Sequence, residues 1–411
     1  MRRAQRLMWL AVAGWLGGWM VLATVSPAAA AYPGANGDIA FVSTVNNNAA
    51  IYQVNPDYVG AVGAGLGTAA GDAAATTGLT TGAVDAEPFY SPTGDEVFFS
   101  SDRAGGHWAI YEIAQSPPLA PSATTDDATE LSQAPGTLAG SDYAPSVAPD
   151  GETVVFNRNN SALYTVYAST GPSSACQLYK PRHGLAPAAG DGSDSRAVFD
   201  PVDAHELIYV SRNGHLHLLS GIPTPSGTNP CGVPRKSLTD TDLSTHMTVP
   251  AHCGIHGAFD ANPDWSPNGT EVVFDSTRCG GHTLWIVTLG TNPSAAPLWP
   301  GLDAPGQPID TEPVFSPDGN YVAYSQPVNG SQVFDNEVDQ VGSPLTSETD
   351  LSLSPGTPIN SQPDWQPTLP AETPEAPYAL LLPVVGLVTI GALLGLQRRR
   401  RARRAALSDD G

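Results

Sequence analysis

The feature that most constrains this 411-residue chain is a sequence repeat with a period near 50 residues. Most copies begin with an acid, have Pro three residues later, and continue through two or three residues into a Pro-x-Gly turn. The copies start at Asp85, Asp142, Asp194, Asp260, Asp310 and Asn360, at intervals of 57, 52, 66, 50 and 50 residues. A repeat of this length predicts a solenoid or a propeller.

Each copy has the pattern of four short strands. In the first copy, the strand that begins at Asp85 is followed by apolar runs at Glu96–Phe99 and Ala109–Ile113, and Leu131-Ser132 marks a weaker fourth strand. Polar turns separate these runs, as expected for antiparallel neighbours. Four antiparallel strands per repeat predict the blade of a β-propeller.

The two ends of the repeat region predict how the ring closes. Residues 37–54 supply a second and a third strand with no first strand before them, whereas Asn360–Pro367 supplies a first strand with nothing after it. We therefore predict an all-β, six-bladed β-propeller over residues 32–367, closed by a C-terminal strand that completes the first blade. Closure would also remove the exposed sheet edges that favour aggregation.

Several residues of the repeat resemble the WD40-like propeller repeats of TolB-type proteins. They are the Ser-Pro-Asp-Gly turn at Ser316–Gly319, Ser101-Asp102-Arg103 after a second strand, and Ile110-Tyr111 in a third strand. The resemblance covers nearly all of residues 32–367. It implies the propeller fold, whereas its functional implications range from binding scaffolds to partners of peptidase domains and enzymes.

Both ends of the chain have the pattern of membrane-targeting segments. Residues 1–31 combine a basic start, an apolar run and Ala28–Ala31, which predicts a secretory signal peptide; an uncleaved anchor is the alternative. Residues 378–396 form an uncharged run long enough for a transmembrane helix. Six Arg in the tail, residues 397–411, predict a cytoplasmic C-terminus by the positive-inside rule. The chain is thus expected to be a single-pass cell-membrane protein with its propeller outside.

The segment between the propeller and the apolar run, residues 368–377, is rich in Pro and Glu and predicts a stiff spacer. Leu369–Thr373, followed by the apolar run and the Arg tail, resembles the sorting signal of cell-wall-anchored Gram-positive proteins. Pro374 stands where that signal needs Gly. We therefore favour a plain membrane anchor over covalent attachment to the wall.

The charge distribution excludes one class of partner. The formal net charge is −22, and only nine of the 18 Lys and Arg lie between the two terminal Arg clusters. A nucleic-acid partner needs a basic surface, so none is expected. No Walker or nucleophile-elbow motif is present, and we predict no cofactor and no catalytic residue.

The acid that begins each repeat has two interpretations. The acids could form a carboxylate ring at the mouth of the central channel that holds a cation or a basic peptide. Alternatively, each could pair with an Arg 16 to 18 residues later in its own repeat: Asp85 with Arg103, Asp142 with Arg158, Asp194 with Arg212, and Asp260 with Arg278. The second interpretation is favoured. Asp310 has no such Arg, and its aligned partner position lies near Val328, so if any acid of the ring is free to bind a ligand, it is expected to be this one.

The cysteines predict a long loop that is held in place by a disulfide. Export of the chain favours disulfides, and propeller topology predicts the pairs Cys253–Cys279 and Cys176–Cys231, on opposite faces. The first would pin the insertion at 241–258 beside Asp260 and Asp310. His246, His252 and His256 lie near Cys253 in that insertion, and a Zn²⁺ site is the less favoured alternative.

The sequence thus predicts a cell-surface propeller that binds or scaffolds an extracellular protein, peptide or glycan. Asp260, Asp310, His252 and His256 mark its candidate binding face. The alternative is an extracytoplasmic propeller enzyme, such as a polysaccharide lyase or a lactonase.

Overall fold

The computed structural model describes the repeat region and leaves the chain ends aside. The described residues are 33–45, 48–54, 76–80, 83–103, 105, 107–114, 128–133, 140–182, 184–185, 196–223, 238–251, 253, 258–280, 282–299, 310–327, 334–341, 349–350 and 360–368. The chain divides into two compact units, Met1–Thr368 and Leu369–Gly411, and all described residues belong to the first.

The described residues form 24 strands, which are short and separated by turns. They are β1 (Ala35–Val45), β2 (Asn48–Val54), β3 (Thr76–Gly78), β4 (Asp85–Tyr90), β5 (Glu96–Ser101), β6 (Ala109–Ala114), β7 (Thr129–Glu130), β8 (Asp142–Val147), β9 (Thr153–Arg158), β10 (Ala162–Tyr167), β11 (Cys176–Tyr179), β12 (Ala197–Phe199), β13 (Glu206–Val210), β14 (Leu216–Ser220), β15 (Thr239–Asp242), β16 (Asp260–Trp265), β17 (Glu271–Ser276), β18 (Thr283–Thr288), β19 (Ser294–Pro297), β20 (Thr311–Phe315), β21 (Tyr321–Pro327), β22 (Phe334–Gln340), β23 (Thr349–Asp350) and β24 (Asn360–Thr368). One helical turn, α1 (Leu243–His246), precedes β16, and two 3-10 segments lie at Ala168–Ser174 and Arg278–Gly280.

The strands pair into six four-stranded antiparallel sheets over the described ranges. Sheet 1 has the order β24-β1-β2-β3, and the others follow the chain: sheet 2 is β4–β7, sheet 3 β8–β11, sheet 4 β12–β15, sheet 5 β16–β19 and sheet 6 β20–β23. The first strands β4, β8, β12, β16, β20 and β24 contact one another in that order, and β24 contacts β4 again. The predicted all-β propeller is therefore confirmed.

Sheet 1 is assembled from both ends of the propeller region. β24 pairs antiparallel with β1, with Ala35 opposite Thr368 and Ile39 opposite Trp365. The Trp365 indole donates a hydrogen bond of 3.1 Å to the Gly37 carbonyl, which fixes this register in the interior. β24 ends at Thr368, one residue beyond the predicted boundary.

The repeated Pro-x-Gly turns place the first and second strands side by side. In the turn of sheet 2, Gly94 has φ +74°, a left-handed conformation that Gly adopts without steric cost. Its amide donates to the Ser91 carbonyl at 2.9 Å and closes the turn. Apolar side chains that alternate along the strands, such as Phe98 and Val97, then fill the space between neighbouring sheets and are fully buried.

The predictions for the chain ends lie outside the described residues. This applies to the signal peptide at 1–31, the spacer from residue 369 onward, the helix at 378–396 and the tail at 397–411. Within the described part of the chain, no helix has the length and hydropathy that a membrane span requires.

Candidate functional site: the central channel and its two mouths

The acids that begin the first strands are buried in ion pairs. Arg103 Nη2 lies 3.0 Å from Asp85 Oδ1, and Arg278 Nη2 lies 2.6 Å from Asp260 Oδ2. In sheet 3, the Arg158 guanidinium contacts both oxygens of Asp142, at 2.6 and 2.7 Å. The predicted pairing is therefore confirmed in three sheets, and Asp194 of the fourth predicted pair lies outside the described residues.

Each of these guanidinium groups also packs against aromatic rings of its own sheet. The Arg103 guanidinium carbon lies 4.8 Å from the ring centroids of Phe99 and Tyr111, and that of Arg158 lies 4.4 Å from the Tyr164 ring. Burial raises the pKa of Asp85, Asp142 and Asp260, and the hydrogen bonds and charge of the Arg oppose that rise. These acids are therefore internal elements of the sheets.

The expectation that Asp310 is free to bind a ligand is wrong. The Gln326 side-chain amide donates a 2.9 Å hydrogen bond to Asp310 Oδ1, and Asp310 is only 2% exposed. The sequence comparison placed the partner position near Val328. Gln326 lies 16 residues after Asp310, the same offset as that of Arg158 from Asp142. The two sheets have the same register here, because Thr311 pairs with Ser325 as Tyr143 pairs with Asn157.

The third residues of the repeats form a second ring of side chains around the channel, next to the ring formed by the first residues. Its members are Glu87, Ala144, Arg196, Asn262, Glu312 and Gln362. All of these except Arg196 have φ between +47° and +56°, an uncommon conformation for residues other than Gly. Such backbone strain persists only where the surroundings compensate for it.

The compensation is a set of hydrogen bonds between neighbouring first strands. The Glu87 amide donates to Gln362 Oε1 at 2.8 Å, the Ala144 amide donates to Glu87 Oε2 at 2.6 Å, and the Gln362 amide donates to Glu312 Oε2 at 2.7 Å. The left-handed turn of the backbone aims each amide at the preceding strand. Two channel carboxylates, Glu87 and Glu312, are thereby used to join sheets.

The fifth residues of the repeats make equivalent bonds at the next level. The Tyr90 amide donates to Asp364 at 2.6 Å, and the Phe315 amide donates to Asp264 at 2.9 Å. Between sheets 3 and 4 the Phe199 amide donates to Ser146 Oγ at 3.3 Å. Between sheets 4 and 5 the Trp265 indole donates to the Val198 carbonyl at 3.0 Å. With the bonds of the layer above, each junction between neighbouring sheets has at least one hydrogen bond.

Arg196 is the cation of the channel. Its Nη2 lies 3.3 Å from Asp364 Oδ1, and its guanidinium carbon lies 5.3 Å from the centroid of the Phe89 ring. Burial raises the pKa of Asp364 to about 7 and that of Asp264 to about 6, although the Arg196 charge opposes both shifts. Sequence analysis missed this triad because its members are not shared by every repeat.

Two cavities lined by the described channel residues are small. The cavity in the layer of Arg196 and Asn262 has about 20 Å³, and the cavity beside Asp264, Asp364 and the surrounding aromatic side chains has about 30 Å³. Volumes of this size hold one or two water molecules. The channel groups therefore have the geometry of a structural network.

The described part of the insertion before β16 packs against sheets 4 and 5. Leu243 and Met247 are buried in the main apolar core, and Ser244 Oγ donates to Asp260 Oδ2 at 2.5 Å. The predicted disulfide between Cys253 and Cys279 is confirmed, with 4.3 Å between the Cα atoms. Cys176 is also disulfide-bonded, whereas Cys231, its predicted partner, lies outside the described residues.

The histidines of this insertion supply no metal site within the described ranges. His252 and His256 lie outside those ranges, and His246 Nδ1 contacts the Asp242 carbonyl at 2.5 Å. In the described part of the chain, no group of three or more His, Cys, Asp or Glu side chains is arranged to hold a metal ion. Asp260 and Asp310, the other two residues of the predicted binding face, are buried at 0% and 2% exposure.

Comparison with known proteins identifies the fold. No protein-family description matches the chain, and no curated protein matches it. Among solved structures, TolB from Acinetobacter baumannii is 16% identical and superposes with a TM-score of 0.52, over 81% of this chain and 67% of that one. A TolB-like protein from Agrobacterium tumefaciens, also 16% identical, covers 71% of this chain and 94% of that one with a TM-score of 0.43. The chain therefore has the WD40-like β-propeller fold found in TolB.

Proposed function

We propose that this protein is a cell-surface propeller that binds or scaffolds an extracellular partner. The proposal rests on one observation: the charged side chains of the channel are engaged in hydrogen bonds within the propeller. Glu87, Glu312, Asp264 and Asp364 accept hydrogen bonds from neighbouring strands, in cavities that hold one or two waters. Because hydrogen bonds within the protein already occupy the axis of the propeller, its faces and edges are the surfaces on which we expect partners to bind.

The proposal includes a closed ring of six blades on the outer side of a membrane. Support for the ring comes from the contacts of β24 with both β20 and β4, and from the pairing of β24 with β1. Support for the location comes from the sequence, in which residues 1–31 and 378–396 have the pattern of a signal peptide and a membrane anchor. The spacer would hold the propeller away from the lipid surface.

The face that carries the stapled insertion is the proposed contact surface. The insertion is fixed by the disulfide, by the Ser244–Asp260 hydrogen bond and by buried Leu243 and Met247, whereas Thr245 and His246 remain exposed. Ordering loop residues costs conformational entropy, and long loops in compact domains are usually functional. Its exposed side chains are therefore the first candidates for partner contact.

The test is cross-linking on intact cells with the full-length chain as bait. Thr245→Arg combined with His246→Arg changes the insertion face, and Val202→Arg is the matched control, because Val202 is 53% exposed in the β12–β13 turn at the opposite face. We expect the double variant to lose the cross-linked partner and the control to keep it. Equal capture by both variants would refute the proposed face, and turnover of cell-wall glycans or lactones by the purified protein would refute a purely binding role.

A further inference from the structure

A second site lies at the outer edge of the propeller, away from the channel. It is a cavity of about 360 Å³, far larger than the channel cavities, and we call it the side pocket. Its lining residues are Tyr179, Pro181, Arg182, Tyr209, Ser211, His217 and Asp240. The volume lies within the range of pockets that bind small molecules, roughly 300–1,000 Å³.

The side pocket is built where sheets 3 and 4 meet. Tyr179 ends β11, the outer strand of sheet 3, and the chain then continues through Pro181 and Arg182 to Leu185, which bridges to Ser211 of sheet 4. Sheet 4 contributes Tyr209 from β13, His217 from β14 and Asp240 from β15. These strands pair in register, so their side chains share one surface.

A hydrogen-bond network on Asp240 fixes the aromatic wall. Tyr179 and Tyr209 both donate to Asp240 Oδ2, at 2.7 and 3.0 Å, and His217 Nδ1 lies 2.8 Å from Asp240 Oδ1. The Tyr209 and His217 rings stack with their centroids 5.1 Å apart, and the Tyr179 and Tyr209 rings are tilted at 6.0 Å. Residues from two sheets thus hold a rigid aromatic surface with polar edges.

The protonation states of the network leave hydrogen-bond acceptors for a ligand. Partial burial alone would raise the pKa of Asp240, but hydrogen bonds from His217 and Tyr179 hold it below its usual range. Burial and the Asp240 carboxylate raise the pKa of Tyr179 to about 12, so the phenol stays protonated. Both phenols donate their protons to Asp240, and the partly exposed Tyr179 keeps oxygen lone pairs that accept hydrogen bonds from ligand hydroxyl groups.

Within the described part of the chain, the Lys and Arg residues that form no ion pair with an acid lie in or next to the lining of the side pocket. Of the seven described Lys and Arg residues, Arg103, Arg158, Arg196 and Arg278 contact buried acids. The other three are exposed: Arg182 lines this pocket, and Lys180 and Arg212 are chain neighbours of lining residues. The Arg212 amide donates to the Gly184 carbonyl at 3.1 Å, which holds the two basic segments together.

We propose that the side pocket binds a carboxylate-bearing sugar, such as a uronic acid residue of an anionic glycan. Tyr179 and His217 are the partly exposed rings of this wall, and they fit the weakly polar C–H face of a pyranose ring, whereas Tyr209 is buried at 1% exposure. The Tyr179 oxygen and the exposed Asp240 carboxylate accept hydrogen bonds from the sugar hydroxyl groups. Arg182, a pocket-lining cation at the rim, supplies the planar donor pair that pairs bidentately with a carboxylate. The lining of the side pocket does not include Thr245 or His246, and this proposal does not rest on the function proposed for the insertion face.

The test measures ligand binding to purified full-length protein by isothermal titration calorimetry or ligand-observed NMR. The probes are glucuronate, glucose, acetate and inorganic phosphate. We expect saturable binding of glucuronate that weakens with added salt, at least tenfold weaker binding of glucose, and no measurable binding of acetate. Phosphate or acetate binding as tight as that of glucuronate would overturn the proposal, because the site would then recognise only an anion.

Two variants locate the site. Arg182→Gln should weaken glucuronate at least tenfold and leave glucose binding nearly unchanged, because only the carboxylate contact is lost. His217→Gln should weaken both sugars, whereas His205→Gln should weaken neither, since the His205–Asp203 pair is an exposed pair outside the pocket. Unchanged glucuronate binding in Arg182→Gln, with an unchanged melting temperature, would place the ligand elsewhere and refute the proposal.

Discussion

The central channel and the side pocket use the same chemical groups for different purposes. Both combine carboxylate, cationic and aromatic side chains, but the channel encloses about 20–30 Å³ per cavity and the side pocket about 360 Å³. In the channel, the carboxylates are bonded to amides of neighbouring strands and to Arg196. In the side pocket, the carboxylate is bonded to Tyr and His, and the nearby cations have no acid partner among the described residues. The charged groups of the axis therefore join the sheets, whereas those beside the side pocket border open volume and are the ones for which we propose a ligand.

The largest expected effect comes from opening the ring. Deleting residues 360–368 removes β24, and with it Asp364, Trp365 and all pairing to β1. We expect the shortened chain to lose its cooperative unfolding transition in circular dichroism. Deleting residues 369–377, also nine residues, should leave the transition unchanged. Equal melting curves for the two deletions would contradict a ring closed by β24.

The next largest effect comes from breaking a buried ion pair. Arg278→Met leaves Asp260 without its cation at a position that is fully buried, and such changes cost about 3–5 kcal/mol in the free energy of unfolding. The measurement is urea unfolding. The double variant Arg278→Met with Asp260→Asn should recover most of the loss, because no charge is left buried. A loss below 1 kcal/mol in the single variant would show that water reaches Asp260.

These pairs also show which parts of the molecule could be predicted from the sequence. Asp85, Asp142 and Asp260 recur with an Arg 16 to 18 residues later, and the recurrence itself revealed the contact. The disulfide between Cys253 and Cys279 followed from propeller topology in the same way. Gln326, the partner of Asp310, was missed because a neutral amide replaces the Arg and does not stand out in an alignment of charges.

The remaining sites could not be predicted because their contacts join residues that stand at different positions of different repeats. Asp264 and Asp364 are the fifth residues of their repeats, whereas Arg196 is a third residue, so the three meet only when the ring is closed. The side pocket draws Tyr179, Tyr209, His217 and Asp240 from four strands of two sheets. A single sequence contains no signal that connects such positions before the packing of sheets 3 and 4 is known.

A third prediction concerns the pH dependence of the channel. Burial raises the pKa of Asp364 from 3.8 to about 7, so the folded protein retains a proton that the unfolded chain releases above pH 4. The contribution to stability is therefore present at low pH and is lost as pH rises toward and through 7. Since a tenfold change in proton affinity is worth about 1.4 kcal/mol, the loss reaches up to about 4 kcal/mol.

Asp364→Asn removes this titration but keeps an oxygen that accepts the Tyr90 amide. We expect the free energy of unfolding of the variant to fall less between pH 5 and pH 8 than that of the wild type, as measured by urea titrations. Asp264→Asn should have a similar but smaller effect centred near pH 6, because the pKa of Asp264 is about 6. A variant with the wild-type pH dependence would show that Asp364 is already charged at pH 5.

The smallest expected effect is a change in the free energy of unfolding that shows whether hydrogen bonds hold the wall of the side pocket in place. Tyr179→Phe removes one hydrogen bond to Asp240 and keeps the ring, so we expect a loss of about 1 kcal/mol in urea unfolding. Tyr167→Phe is the matched control, because the Tyr167 hydroxyl is buried without a hydrogen-bond partner and its removal should cost nothing or stabilise the fold. If the two variants unfolded at the same urea concentration, the bond between sheets 3 and 4 would contribute nothing. The aromatic wall of the side pocket would then become ordered only on ligand binding, whereas the channel side chains are held by their own hydrogen bonds without a ligand.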